Sequence, residues 1–163
     1  MKKINFIEKG DFMSLFKDEI VGEFLEWKNA NPDNFTWWNF VNIKADIDTA
    51  LAFAKFYSPE LLEIEGYCLL KDKFSPNVFE GWKRSCQNNK ECVEKMMNIY
   101  QIRDFFHINT IDSENENEKF KALGRILKFF WEISFEKNYP EKKLKVHLFE
   151  EDDGEFFITV YSL

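Results

Sequence analysis

Two hydrophobic periods, set side by side near the C-terminus, constrain this chain more than any other feature. From Ser113 to Pro140 the apolar positions recur every three to four residues, at Phe120, Leu123, Leu127, Phe130/Trp131 and Ser134/Phe135. That rhythm is one face of an α-helix. Ser113-Glu114-Asn115-Glu116-Asn117-Glu118 forms its polar entry, and Tyr139-Pro140 ends it because proline cannot continue a helix. The period then drops to two. Leu144-Lys145-Val146-His147-Leu148-Phe149 alternates, Glu150-Glu151-Asp152-Asp153-Gly154 turns on Asp-Gly, and Phe156 to Tyr161 returns as a β-branched and aromatic strand. This predicts a C-terminal β-hairpin.

The rest of the chain fits the same pattern. Asp11 caps a first helix expected to reach about Lys28, with Phe12, Leu15/Phe16, Ile20, Phe24 and Trp27 on one face. Residues 29–34 read as a loop. Phe35 to Val41 reads either as a strand or as the entry to a helix. A second helix starts near Asp46 and ends before Pro59, with Ile47, Ala50, Leu51, Ala54 and Tyr57 as its stripe. Leu61 to Leu70 is a strand, either buried on both faces in its second half or bulged at Gly66. Ser75-Pro76 opens a third helix carrying Val78/Phe79, Trp82 and Cys86. A fourth helix is expected from about Lys90 to Phe106, with Val93, Met96/Met97, Tyr100 and Phe105 inward. The expectation is therefore a mainly helical α+β fold, one globular domain over residues 1–163, with a small antiparallel sheet. A chain of 163 residues suits that size, since roughly 70% of the unfolded surface of such a domain is buried.

Charge and composition exclude several roles. The net charge of −7 argues against nucleic acid, which is bound through an electropositive surface that releases counterions. No apolar run reaches the roughly 20 residues of a membrane span. Asn5, Glu8 and Lys9 fall where a signal peptide would be apolar. Three cysteines, Cys68, Cys86 and Cys92, at unpatterned spacing suit reduced thiols, small apolar core residues and a cytoplasmic location. The 19 phenylalanines are read mainly as core filling, because the Lys-, Asn- and Phe-rich composition also follows from A/T-rich codons.

Chemistry-bearing motifs are scarce. The six glycines are scattered, so neither a phosphate loop nor a dinucleotide fingerprint can be assembled. Cys86 and Cys92 miss zinc spacing, and no metal or cofactor is expected. Asp104 and His107, three apart on the expected fourth helix, could form an orienting carboxylate and a base, with Cys86 or Cys92 as nucleophile. Glu63 and Glu65 share a strand face and read as solvated. Glu150, Glu151, Asp152, Asp153 and Glu155 gather at the hairpin tip, either as a solvated turn or as an acidic prong for a basic partner. Trp37 and Trp38 beside Phe35 and Phe40 are the candidate aromatic anchor of an interface.

Taken over its whole length, the chain resembles the small, acidic, aromatic-rich immunity proteins of bacterial toxin systems in size, charge and lack of motifs. The resemblance implies a cytoplasmic protein that binds a basic toxin domain and blocks its active site. The alternative is a small enzyme or ligand-binding domain with a pocket around Asp104, His107 and Cys86.

Overall fold

The computed structural model describes residues 15–106 and 115–163. Helices α1 (Gly22–Ala30), α2 (Trp37–Lys44) and α3 (Ile47–Tyr57) lead into strands β1 (Leu61–Ile64) and β2 (Tyr67–Leu70). Helices α4 (Pro76–Ser85) and α5 (Lys90–Met97) follow, then the short strand β3 (Tyr100–Gln101). The long helix α6 (Glu116–Asn138) precedes strands β4 (Leu144–Glu150) and β5 (Phe156–Ser162). Short 3-10 turns lie at Asp18–Ile20, Lys71–Lys73 and Ile102–Phe106. The fold is α+β and mainly helical, with two antiparallel sheets, β1–β2 and β3–β5–β4.

Strand β5 organises the core because it is central in its sheet. Ile158 and Val160 join Trp131, Leu127 and Phe135 of α6 in the main cluster. The alternate residues face the other way. Thr159 donates its hydroxyl to the Lys95 carbonyl of α5 at 2.9 Å, and the Lys95 ammonium lies 4.3 Å from the Tyr161 ring centroid. Burial on both faces explains why β5 reads as a nearly continuous apolar run. Helix α6 lies close to β4: a Cβ built on Gly124 would sit 2.7 Å from Leu148 Cδ1.

Three expectations change in three dimensions, and one open reading is decided. The first helix is broken near Val21, which takes non-helical angles between the Asp18–Ile20 turn and α1; its expected start at Asp11 lies outside the described residues. The ambiguous Phe35–Val41 segment becomes α2, with Asn39 Oδ1 accepting from the Thr36 backbone N–H at 2.9 Å and from its hydroxyl at 2.7 Å. Leu61 to Leu70 is a hairpin of two strands, because Glu65 (φ 52°) and Gly66 (φ 82°) form a two-residue turn of the kind that suits strand twist. The expected fourth helix stops at Met97. Tyr100 and Gln101 then pair with Ile158 and Phe157 of β5, so sheet pairing overrides the helical rhythm.

Two fully buried polar side chains, Glu94 of α5 and Asn98 at its C-cap, join the sheets. Ladder alternation in the β1–β2 hairpin turns the backbone groups of Cys68 and Leu70 away from β1. Glu94 accepts from the Cys68 N–H at 2.8 Å and from the Ser162 N–H at 2.6 Å. Asn98 accepts from the Leu70 N–H at 2.7 Å and donates to the carbonyls of Cys68 and Val160, both at 2.8 Å. The free edge of β2, and the stretch of β5 that β3 is too short to cover, are thereby satisfied by side chains instead of a further strand.

The expectation of three reduced thiols is overturned. Cys86 and Cys92 form a disulfide with Cα atoms 5.8 Å apart, while Cys68 is a free, buried thiol. Gln87 and Asn88, at φ 52° and 58°, reverse the chain sharply enough to bring the end of α4 onto the first turn of α5. The closed loop is short, with a sequence separation of 6, so the entropy removed from the unfolded chain is small. Cys86→Ser is expected to lower stability by about 2 kcal/mol. Urea unfolding with and without a dithiol reductant checks this, and equal midpoints for the variant and the oxidised protein would contradict it.

Candidate functional site

Helix α3 carries the least expected feature of the molecule. Its predicted core stripe faces solvent except at Tyr57: Ile47 is 76% exposed and Leu51 62%, and Ala50 and Ala54 are exposed as well. A second stripe, Phe53, Phe56 and Tyr57, is partly buried instead. The aromatic stripe offers more area to the core, and area decides which face is buried. Trp131 Nε1 fixes this choice by donating to the Phe56 carbonyl at 2.6 Å, and the Ser58 and Ser134 hydroxyls bond at 2.6 Å.

The preceding helix separates its two tryptophans. Trp37 stacks on Phe24 with ring centroids 3.8 Å apart and planes 3° from parallel, and donates Nε1–H to Asp18 Oδ1 at 3.1 Å. Phe35, Phe40 and Trp27 complete this aromatic cluster. One residue later the helix has rotated by about 100°, and Trp38 stands 76% exposed, with Val41 and Ile43 also in solvent. Of the paired tryptophans, Trp37 is structural and Trp38 is available as an anchor.

At the hairpin tip the acidic run divides. The Glu155 carboxylate is held by Arg103 Nε at 2.8 Å and by Gln101 Nε2 at 3.1 Å, tying the turn to β3 and the adjoining 3-10 turn. Glu150 lies 3.9 Å from Lys121. Glu151, Asp152 and Asp153 are exposed around a shallow depression.

A separate cleft of about 420 Å³ opens between α3 and the β3 segment, lined by Thr49, Ala52, Phe53, Phe56, Tyr100, Asp104 and Phe105. Phe56 meets Phe105 edge-on at 4.8 Å, and Tyr100 lies 5.2 Å from Phe105. Lys73 donates to the Ile99 carbonyl and places its ammonium 4.2 Å from the Tyr100 centroid. Burial pulls the Lys73 pKa below its ordinary value, against the opposing pull of Asp104. Burial also pushes the Tyr100 phenol up to about 12, with the charge of Asp72 adding to it.

The catalytic grouping expected from sequence does not assemble among the described residues. Asp104 sits in a 3-10 turn at the cleft rather than on a helix, and His107 lies outside the described residues. The sulfur of Cys86 is bonded to Cys92 in the second core cluster, with Tyr67, Leu69, Phe79, Val93 and Met97. Burial raises the Cys68 thiol pKa, and the nearby Glu94 raises it further, which leaves it a poor nucleophile. Glu63 is bonded to Lys142, which holds its carboxyl below the usual range, and Glu65 is bonded to Lys83 at 2.6 Å. Among the described residues no group of three or more His, Cys, Asp or Glu could hold a metal ion, and no helix is long and apolar enough to cross a membrane. Sequence reasoning missed Lys73 and Tyr100, which meet only through tertiary contact. It also missed Glu94, although a carboxylate between Val93 and Met97 on an apolar helix face was a visible signal.

No protein family model matches the chain, and no curated protein or solved structure matches it either.

Proposed function

We propose that this protein is a non-enzymatic binding partner of the immunity or inhibitor type, which covers a basic site on another protein, such as a toxin domain. The observation that supports the reading is the outward apolar face of two successive helices, with Trp38, Ile47 and Leu51 each more than half exposed. Exposed apolar faces of this kind mark interaction surfaces, and tryptophan is prominent among residues that dominate interface energies. Charge supplies the partner's chemistry. Residues 15–60 contain eight carboxylates against four lysines, and Asp46 and Asp48 flank Ile47. The Asp46 carboxyl is held below its ordinary pKa by the backbone N–H and hydroxyl of Thr49. An apolar centre with an acidic surround complements a basic, apolar-centred site and speeds encounter. The exposed Glu151, Asp152 and Asp153 belong to the same proposal as a second acidic contact.

A photo-reactive amino acid in place of Trp38, activated in the native cell, tests the reading. The expected result is one main adduct to a basic protein. Binding of that protein, once purified, should weaken about thirty-fold on Trp38→Ala, the effect of losing one hot-spot side chain, and should weaken further with added salt. An adduct to a second copy of this chain, or binding indifferent to Trp38→Ala, would overturn it. A cytoplasmic site of action forms part of the proposal and has its own check. Cell fractionation should recover the protein with the cytosolic enzymes; recovery with exported proteins, which the Cys86–Cys92 disulfide would suit, would overturn that part of the proposal.

A further inference from the structure

We infer that two copies of this chain associate through the free edge of β4, joining their three-stranded sheets into one sheet of six strands. This contact uses none of Trp38, Ile47 or Leu51, so it stands apart from the protein-binding reading. Strand β4 is an outer strand of its sheet. Its seven residues pair with β5 without a bulge, and none is proline. The register fixes where the backbone points. Glu151 donates its N–H to the Glu155 carbonyl at 2.9 Å, and Leu163 donates to the Lys143 carbonyl at 2.8 Å. The odd-numbered residues of β4 therefore bond to β5, and the even-numbered ones turn their N–H and C=O groups outward. Leu144 gives its N–H to the Lys142 carbonyl. The backbone groups of Val146, Leu148 and Glu150 have no partner among the described residues. Glu94 and Asn98 close the open backbone of β2 and β5, and no such side chain serves β4 among the described residues. A bare, regular edge is a template for another strand.

Helix α6 selects which strand. It runs antiparallel to β4 across one face of the sheet. Lys121 lies 3.9 Å from Glu150 at one end, Gly124 sits against Leu148, and Glu132 and Glu136 share a groove with Val146 and Leu144 at the other end. Arg125, one turn on from Lys121, lies on the same side of the helix. Exposed Lys121 and Arg125 thus flank one end of the edge, and exposed Glu132 and Glu136 flank the other. A two-fold axis normal to the sheet at His147 pairs Val146 with Leu148 of the second copy and brings unlike ends together. The helix shares that centre. Glu150 to Leu144 spans about 20 Å of strand, and Lys121 to Glu136 about 22 Å of helix, so the midpoints fall together at His147 and Lys128. Across the seam Lys121 then meets Glu136 and Arg125 meets Glu132, twice over by symmetry. Lys128, at the centre, is paired with Glu132 of its own helix at 3.8 Å. A uniformly basic strand from another protein would instead meet Lys121 and Arg125 at one end. The two-fold contact also closes on itself, because each copy contributes its one open β4 edge.

Sedimentation equilibrium of the full chain at low salt measures the association. The expected mass is that of two chains at high concentration, falling toward one on dilution. Glu132→Lys together with Glu136→Lys should weaken self-association about a hundred-fold, since like charges then face each other at four places. Lys121→Glu together with Arg125→Glu should do the same. All four side chains are exposed, so the fold is retained. An equimolar mixture of the two variants should recover the dimer, because every facing pair is again opposite in charge. Cross-linking reads the register. On oxidation, His147→Cys should form an intermolecular disulfide, since position 147 faces itself in a non-hydrogen-bonded pair with Cα atoms about 4.5 Å apart, whereas Lys145→Cys should not. A single-chain mass at every concentration, charge-reversed variants that still dimerise, a mixture that stays monomeric, or equal cross-linking through Lys145→Cys would each overturn the inference. A dimer that survives both charge reversals and is lost on Trp38→Ala would also overturn it, by assigning the contact to the face of α2 and α3.

Discussion

Replacing Glu94 by leucine is expected to lower the unfolding free energy by about 4 kcal/mol, since each buried polar group left unpaired costs roughly 1–3 kcal/mol. The side chain is fully buried, and its two oxygens take the backbone N–H groups of Cys68 and Ser162 together with the Ser162 hydroxyl. Leucine fills similar space but leaves the buried Cys68 N–H and the part-buried Ser162 N–H without their acceptor. Glu94→Gln should lose about half as much: its amide oxygen keeps one N–H, while its NH₂ faces the other donor to donor. Urea unfolding measures both losses. Hydrogen exchange at Cys68 and Ser162 should accelerate selectively in the leucine variant. A loss under about 1 kcal/mol would mean those N–H groups have other acceptors and that α5 does not join the sheets as described.

Trp131→Ala should cost a similar amount, about 4 kcal/mol, within the range for truncating a buried large aromatic residue. Trp131 is fully buried in the main cluster and ties α3 to α6 through the Phe56 carbonyl. Its ring lies 6.3 Å from that of Tyr100, so the cavity left behind also undermines one wall of the aromatic cleft. Trp131→Phe keeps most of the packing but orphans the carbonyl, and about 2 kcal/mol is expected from the combined loss of ring area and hydrogen bond. Thermal unfolding separates the two variants. Equal losses would assign the effect to the hydrogen bond alone, because only the N–H is absent from both.

The two variants probe different links. Glu94 joins the edges of two sheets from a single helix, whereas Trp131 decides which face of α3 is buried. If Trp131→Ala releases α3, the outward display of Ile47 and Leu51 should be lost with it. Stability and partner binding would then fall together in that variant, while Glu94→Gln should weaken stability with little effect on binding. That difference separates a surface built by the fold from one carried by a helix alone.

Local chemistry was legible wherever one element decided its own form. The stripe from Phe120 to Phe135 and the Asp-Gly hairpin turn specify α6 and the β4–β5 pair, because period and turn residue are properties of adjacent positions. The α+β class followed from these two. Segments that failed had two viable forms of similar local energy. Tyr100 and Gln101 continue a helical rhythm, yet the open side of β5 offers backbone partners a helix would not supply. In α3, Ile47/Leu51 and Phe53/Phe56/Tyr57 are both acceptable stripes, and only the position of Trp131 selects between them. The disulfide and the Lys73–Tyr100 contact depend on chain reversals that bring separated residues together. Sequence by itself determined the period of each segment and the sign of its charge. The tertiary structure alone decided which face meets the core, because burial is a property of what lies opposite.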